Sequence, residues 1–210
     1  MSDEEHASAP HWSETWRGVE GQVPAGPAGY GAMIDTLRTF LDDVAAASPD
    51  EAIVAALTQD MAGWSSKLRP LAVPEAERIF AHRRDLPGRG QTMSPQLFID
   101  EASAESVRGH VTFGDYYLGG NGAVHGGAIP LLFDEILGRL SNAGTQKRSR
   151  TAFLHVDFRS ITPIGKRLQI RGWFEYEEGR KRLLKADLRD GDTLCAEAEG
   201  LFVELRPGQP

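Results

Sequence analysis

The sequence predicts an α+β protein: an antiparallel sheet of about six strands wrapped around one central helix, with an α-helical N-terminal extension. Three observations predict it. The apolar residues recur at helical spacing up to about residue 90 and alternate with period two from about residue 95. One strongly apolar helical segment, near residues 126–141, interrupts the alternating region. The segments after it are joined mostly by hairpin turns, "EEGR" and "RDGD". One sheet then has a single helix to cover, and curving around it is the economical packing solution. The expected division is residues 1–90 for the extension and 91–210 for the sheet domain.

The chain has 210 residues, 25% charged and 40% hydrophobic, ordinary for a globular protein able to bury a core without disulfides. Its one cysteine, Cys195, excludes an intrachain disulfide and favours a cytoplasmic setting. A net charge of −7 argues against nucleic acid as a partner, while leaving a local basic cluster free to hold a small anion. "MSDEEHASAP" is acidic with no apolar run behind it, unlike a secretory signal, and no apolar stretch reaches membrane-spanning length.

Residues 1–30 are rich in Gly, Pro, Ser and acids and read as loop, with Trp12 and Trp16 spaced to form one turn. Met33, Ile34, Leu37, Leu41 and Val44 mark a helix over 31–46. In "SPDE", Ser48 suits an N-cap, Pro49 the first helical position and Glu51 a capping box. The helix that follows should bury Ile53, Val54, Leu57, Met61 and Trp64. "PEAERIFAHRRD" (74–85) reads as a third, short helix, and "DLPGRGQ" breaks the chain.

"QLFIDEA" and "SVRGHVTFGDYY" are strands. Four more are expected at 151–159, 167–177, 181–189 and 193–205. In the second of these, Leu168, Ile170, Gly172, Phe174 and Tyr176 share a face. In the third, Leu184, Ala186 and Leu188 do so, and in the fourth Leu194, Ala196, Ala198, Gly200 and Phe202. The small residues let a helix lie close to the sheet.

"GNGAVHGGAIPLLFDEILG" (120–138) supplies that helix. Pro130 lacks an N–H and belongs in a first turn, so the helix begins near Gly126 or Gly127. That leaves the amides of these glycines at the positive end of the helix dipole. Two readings are open: a pocket for a carbonyl oxygen that becomes an oxyanion, or glycines chosen for conformation alone. Ile129, Leu132, Phe133, Ile136 and Leu140 form the core stripe. Glu135 is expected to form a solvated pair with Arg139 at i+4. Asp134 lies off the stripe among small residues. It is either a polar residue at a helix contact or a carboxylate that attacks, or activates water to attack, an electrophile. Seven residues separate it from Gly127, roughly 10 Å along a helix axis. One carbonyl cannot touch both groups of the same helix, so a site using both is composite, across a two-fold dimer.

"HGGAIPLLFDEILG", "TAFLHVDFRSITPIGKRLQI", "EGRKRLLKADL" and "CAEAEGLFVEL" together resemble the hotdog-fold acyl-CoA thioesterases. The nearest groups are the phenylacetyl-CoA type and the human mitochondrial acyl-CoA thioesterase superfamily members. The resemblance spans roughly residues 95–206 and implies hydrolysis of an acyl-CoA to free acid and CoA, with no cofactor. It implies that Asp134 is nucleophile or general base and that the second glycine, Gly127, donates its amide to the thioester carbonyl. It further implies that Thr151 helps position water and that His125 orders the helix entrance. Gly126 completes the motif. Many relatives carry an Asn six residues before the motif histidine; here that position is Gly119, and Asn121 is the nearest candidate. CoA phosphates need cations, and "QKRSR" (146–150) and "GRKRLLK" (179–185) offer Arg148, Arg150, Arg180, Lys181 and Arg182. The expected assembly is a homo-oligomer, a dimer or a dimer of dimers.

His155 is expected at a subunit contact, and His110 to bond locally. No H-x-x-x-H pairing points to a metal, and no GxSxG to an α/β-hydrolase. A non-catalytic acyl-CoA-binding module is the competing reading, ahead of an enoyl-CoA hydratase of the same fold.

Overall fold

The computed structural model describes residues 26–83, 85–143 and 148–209. The expectations for residues 1–25, including the turn through Trp12 and Trp16, lie outside the described residues, as do Gln146 and Lys147. The described residues up to Thr92 form one compact unit and those from Met93 the other.

The first unit holds helices α1 (Tyr30–Ala46) and α2 (Glu51–Leu68). The N-cap of α2 is Asp50, not Ser48: its carboxylate accepts from the Ile53 N–H at 2.9 Å. A carboxylate at this position answers both the unpaired amides and the dipole, which a serine two residues earlier cannot. The inward-facing stripe expected of α2 is not buried: no residue of this helix is. The expected third helix shrinks to one 3-10 turn, Glu75–Glu77. Its apolar residues Ile79 and Phe80 are adjacent and supply no helical stripe.

The second unit is a hotdog fold. Strands β1 (Leu97–Ala102), β2 (Ser106–Thr112), β5 (Ser149–Phe158), β6 (Arg167–Glu178), β7 (Lys181–Asp190) and β8 (Thr193–Glu204) form one antiparallel sheet. Its order is β1-β2-β6-β7-β8-β5. A short hairpin, β3 (Leu118–Gly120) with β4 (Ala123–Val124), leads into helix α3 (Ala128–Ser141). This hairpin has too few residues for a period-two signal.

Helix α3 sits on the sheet, with Ile129, Leu132, Phe133, Ile136 and Leu140 each at most 2% exposed. The alternation predicted for β6 holds from Leu168 to Gly172, but a bulge between Phe174 and Tyr176 resets the register and leaves Tyr176 exposed. Gly200 shows why small residues recur under the helix. A Cβ there would lie 3.1 Å from Leu137 Cδ1 of α3 and 2.9 Å from the Phe202 ring. Gly200→Val should therefore destabilise the protein by about 2 kcal/mol through overpacking, read as a lower urea midpoint.

The pair Glu135–Arg139 corrects an expectation. Both side chains are about 6% exposed, with Arg139 Nε 2.6 Å from Glu135 Oε1. Buried together, Arg139 and Glu135 neutralise each other.

Candidate active site

Within α3 a single residue is exposed: Asp134. A carboxylate in an otherwise covered helix is placed to meet something outside the chain. Its Oδ1 accepts a hydrogen bond from Thr151 Oγ1 at 2.9 Å. Thr151 stands near the start of β5, and the reach is set by a polar splice between the end of α3 and the start of that strand. Asn142 Oδ1 accepts from the Ser149 N–H at 2.9 Å, and Ser141 Oγ lies 2.9 Å from Ser149 Oγ. Thr151 thus holds one oxygen of an exposed carboxylate.

At the opposite end of α3, the N-terminal loop departs from expectation. The Gly127 N–H is not free. It donates to His125 Nδ1 at 3.0 Å, while the His125 carbonyl accepts from the Ala128 N–H at 2.9 Å. His125 thus ties down the helix start with both its ring and its backbone, and this geometry puts the imidazole proton on Nε2. Among the described residues, no hydrogen bond reaches the Gly126 N–H. Gly126 is exposed, and a Cβ there would meet only the Phe158 ring, at 3.8 Å. The unengaged donor at the helix start is therefore Gly126.

The hairpin before the histidine also explains the missing asparagine. A Cβ at Gly119 would lie 2.7 Å from His125 Cα, so the close passage of β3 against this loop admits no side chain there. Asn121 sits at the hairpin tip with φ 52°, a left-handed conformation that asparagine tolerates. The turn accounts for it.

The two basic clusters come together at one end of the sheet. Arg150 and Lys181 are both register partners of Val203 in β8, one from each side. The Leu205 N–H donates to the Arg148 carbonyl and the Glu204 N–H to that of Arg180. Arg148, Arg150, Arg180 and Lys181 are exposed. Arg182 is not: it is 4% exposed, pairs with Glu177 and Glu204, and donates to the Ser141 carbonyl at 2.8 Å. There it answers the negative end of α3, which removes it from the set able to meet a phosphate. Its alternation with Lys181 along β7 is what turns it inward, a signal present in the sequence but masked by the charge run.

His110 Nδ1 lies 2.9 Å from Asp100 Oδ1, and His155 Nε2 lies 3.4 Å from Asp157 Oδ1. Both are on the sheet, away from Asp134. Cys195 is fully buried.

Residues 121–197, which include His125, Gly126, Gly127, Asp134 and Thr151, match the family model of the thioesterase superfamily. A crystal structure described as a thioesterase superfamily protein superposes with a TM-score of 0.72 at 30% identity, covering 86% of this chain and 97% of that one. The chain belongs to the thioesterase superfamily. This superfamily member is also 34% identical over 96 residues to acyl-coenzyme A thioesterase THEM4 of Bos taurus, which covers 45% of the chain but 39% of the relative's length. The fold is shared, at 18% identity and a TM-score of 0.50, with a Streptococcus mutans protein solved bound to acetyl CoA; 52% of this chain and 89% of that one are covered. Among the described residues no helix is long and apolar enough to cross a membrane.

Proposed function

We propose that the chain hydrolyses acyl-CoA thioesters at a site composed from two copies of itself. The observation that carries this reading is the lone exposed carboxylate of α3, Asp134, held by Thr151 at 2.9 Å. Kinship with acyl-coenzyme A thioesterase THEM4 supports the substrate class.

The composite character follows from β5. It is an edge strand, ten residues long, with Phe153 and Phe158 about half exposed along it. An open edge of this kind is a template for pairing with another strand. Asp134 and Thr151 lie by its start, and Gly126 lies beside Phe158 at its end. Antiparallel pairing of β5 with its own two-fold copy sets the start of one strand against the end of the other. Asp134 of one copy then approaches Gly126 of the other, which lies roughly 12 Å away along the axis within one chain.

In this arrangement the Gly126 amide, at the positive end of α3, receives the thioester oxygen and holds the oxyanion. Asp134 takes a proton from water as it adds to the carbonyl carbon, or adds directly to give an anhydride that water then opens. The carbon–sulfur bond breaks, and CoA leaves as a thiolate. Arg148, Arg150, Arg180 and Lys181 supply positive charge for the CoA phosphates. His125 keeps the loop in shape by occupying the Gly127 amide.

A thiol-release screen over short, long and aromatic acyl-CoAs tests the reading. Release by the wild type that is lost in Asp134→Asn supports it; saturable binding without release from any ester overturns it. Thr151→Val should lower kcat about ten-fold, the worth of one hydrogen bond to a charged group, with KM little changed.

A further inference from the structure

Helix α2 has 18 residues and buries none of them. Most of a helix's stability in a protein comes from packing of its apolar face, so this face needs a cover. That face is a stripe of Leu57, Met61, Trp64 and Leu68, spaced 4-3-4, with Met61 52%, Trp64 63% and Leu68 62% exposed. Helix α1 carries a stripe of the same spacing, Met33, Leu37, Phe40 and Val44, of which Met33 and Val44 are about half exposed. Leu37 and Phe40 of the α1 stripe and all four residues of the α2 stripe line one open groove of about 810 Å³, with Asp60 and Arg69 also in its lining.

We infer that this groove is closed by the same groove of a second copy of the chain, so that two α1–α2 pairs form a four-helix bundle. Three features select this occupant. First, the exposed apolar side chains Leu37, Met61, Trp64 and Leu68 lie together along this groove as one patch, the kind of surface that marks an interaction site. Second, every molecule needs the cover at all times, and the one partner always present at equal concentration is the chain itself. Third, the 4-3-4 spacing is the knobs-into-holes repeat, and four such stripes make a complete bundle core.

Charge sets the direction. With a two-fold axis at Trp64, the α2 helices run antiparallel, and Asp60 of each copy comes level with Lys67 and Arg69 of the other. Parallel pairing would instead set Asp60 against Asp60, a like-charge contact. The inference is independent of the thioester chemistry, since it uses no residue of that site.

The test is disulfide trapping in the full chain. The native Cys195 is buried, so an introduced cysteine on α2 is the reporter. Trp64→Cys, at the axis, should form an intermolecular disulfide on mild oxidation at least ten times faster than Thr58→Cys, an exposed position off the stripe of the same helix. Adding Met61→Glu to Trp64→Cys should abolish that advantage. Circular dichroism and thiol release establish that each variant is folded. Equal trapping rates at positions 64 and 58 in folded protein overturn the inference, as does fast trapping that Met61→Glu leaves unchanged.

Discussion

Asp134→Asn should lower turnover of the best acyl-CoA by about 10³-fold or more while the protein stays folded. The amide has the size of the carboxylate and can still accept the Thr151 hydrogen bond through its oxygen, so the 2.9 Å contact survives. What it loses is the negative charge and the lone pair able to take a proton or attack carbon. Because the side chain is exposed on α3, the stability change should stay within about 0.5 kcal/mol, read by urea unfolding. Binding of the ester should persist, because Asp134 repels rather than attracts the CoA phosphates. Turnover within ten-fold of wild type would remove Asp134 from the chemistry.

The second large effect separates two neighbouring amides. Gly126→Pro removes the N–H that stands unengaged at the helix start, and should cost about 10²- to 10³-fold in kcat, the worth of one oxyanion donor. Gly127→Pro removes the N–H bound by His125 Nδ1. Its backbone, φ −72° and ψ −22°, already suits proline, but a Cβ there lies 3.2 Å from His125 Nδ1, so the imidazole must turn aside; the variant should lose stability, and the folded protein should lose less kcat than Gly126→Pro. Gly126→Ala keeps the N–H, and its Cβ meets the Phe158 ring at an ordinary 3.8 Å, so it should stay within a few-fold of wild type. The reverse ranking of the two proline variants would return the oxyanion role to Gly127.

These residues also mark what the sequence could convey. The strands of the hotdog unit were legible because alternation is a local property, and the helix start was legible from Pro130 and the two glycines. Asp134 stood out because an acid off the apolar stripe has few reasons to be there. The assignment of the donor amide was not legible, since it turns on the ring orientation of His125, which spacing does not encode. Glu135, Arg139 and Arg182 misled for a shared reason. Charge predicts exposure until tertiary packing encloses the residue, and that enclosure is not a local property of the sequence. The stripe on α2 is apolar yet exposed, because periodicity reports that a face needs a cover and not which molecule provides it. Gly119 and Asn121 are explained by the close passage at His125 and by a left-handed turn, neither of which a single chain announces.

The claim that joins these findings is that one site draws Asp134 from one copy and Gly126 from another. Mixed oligomers test it most directly. Asp134→Asn and Gly126→Pro chains, each inactive alone, are co-expressed with different affinity tags, and the doubly tagged oligomer is isolated. A composite site predicts that activity returns, because the Asp134 of one variant meets the intact Gly126 of the other, giving one working site per heterodimer at about half the wild-type rate per oligomer. A mixed oligomer as inactive as its parents would place both groups in a single chain and contradict the account.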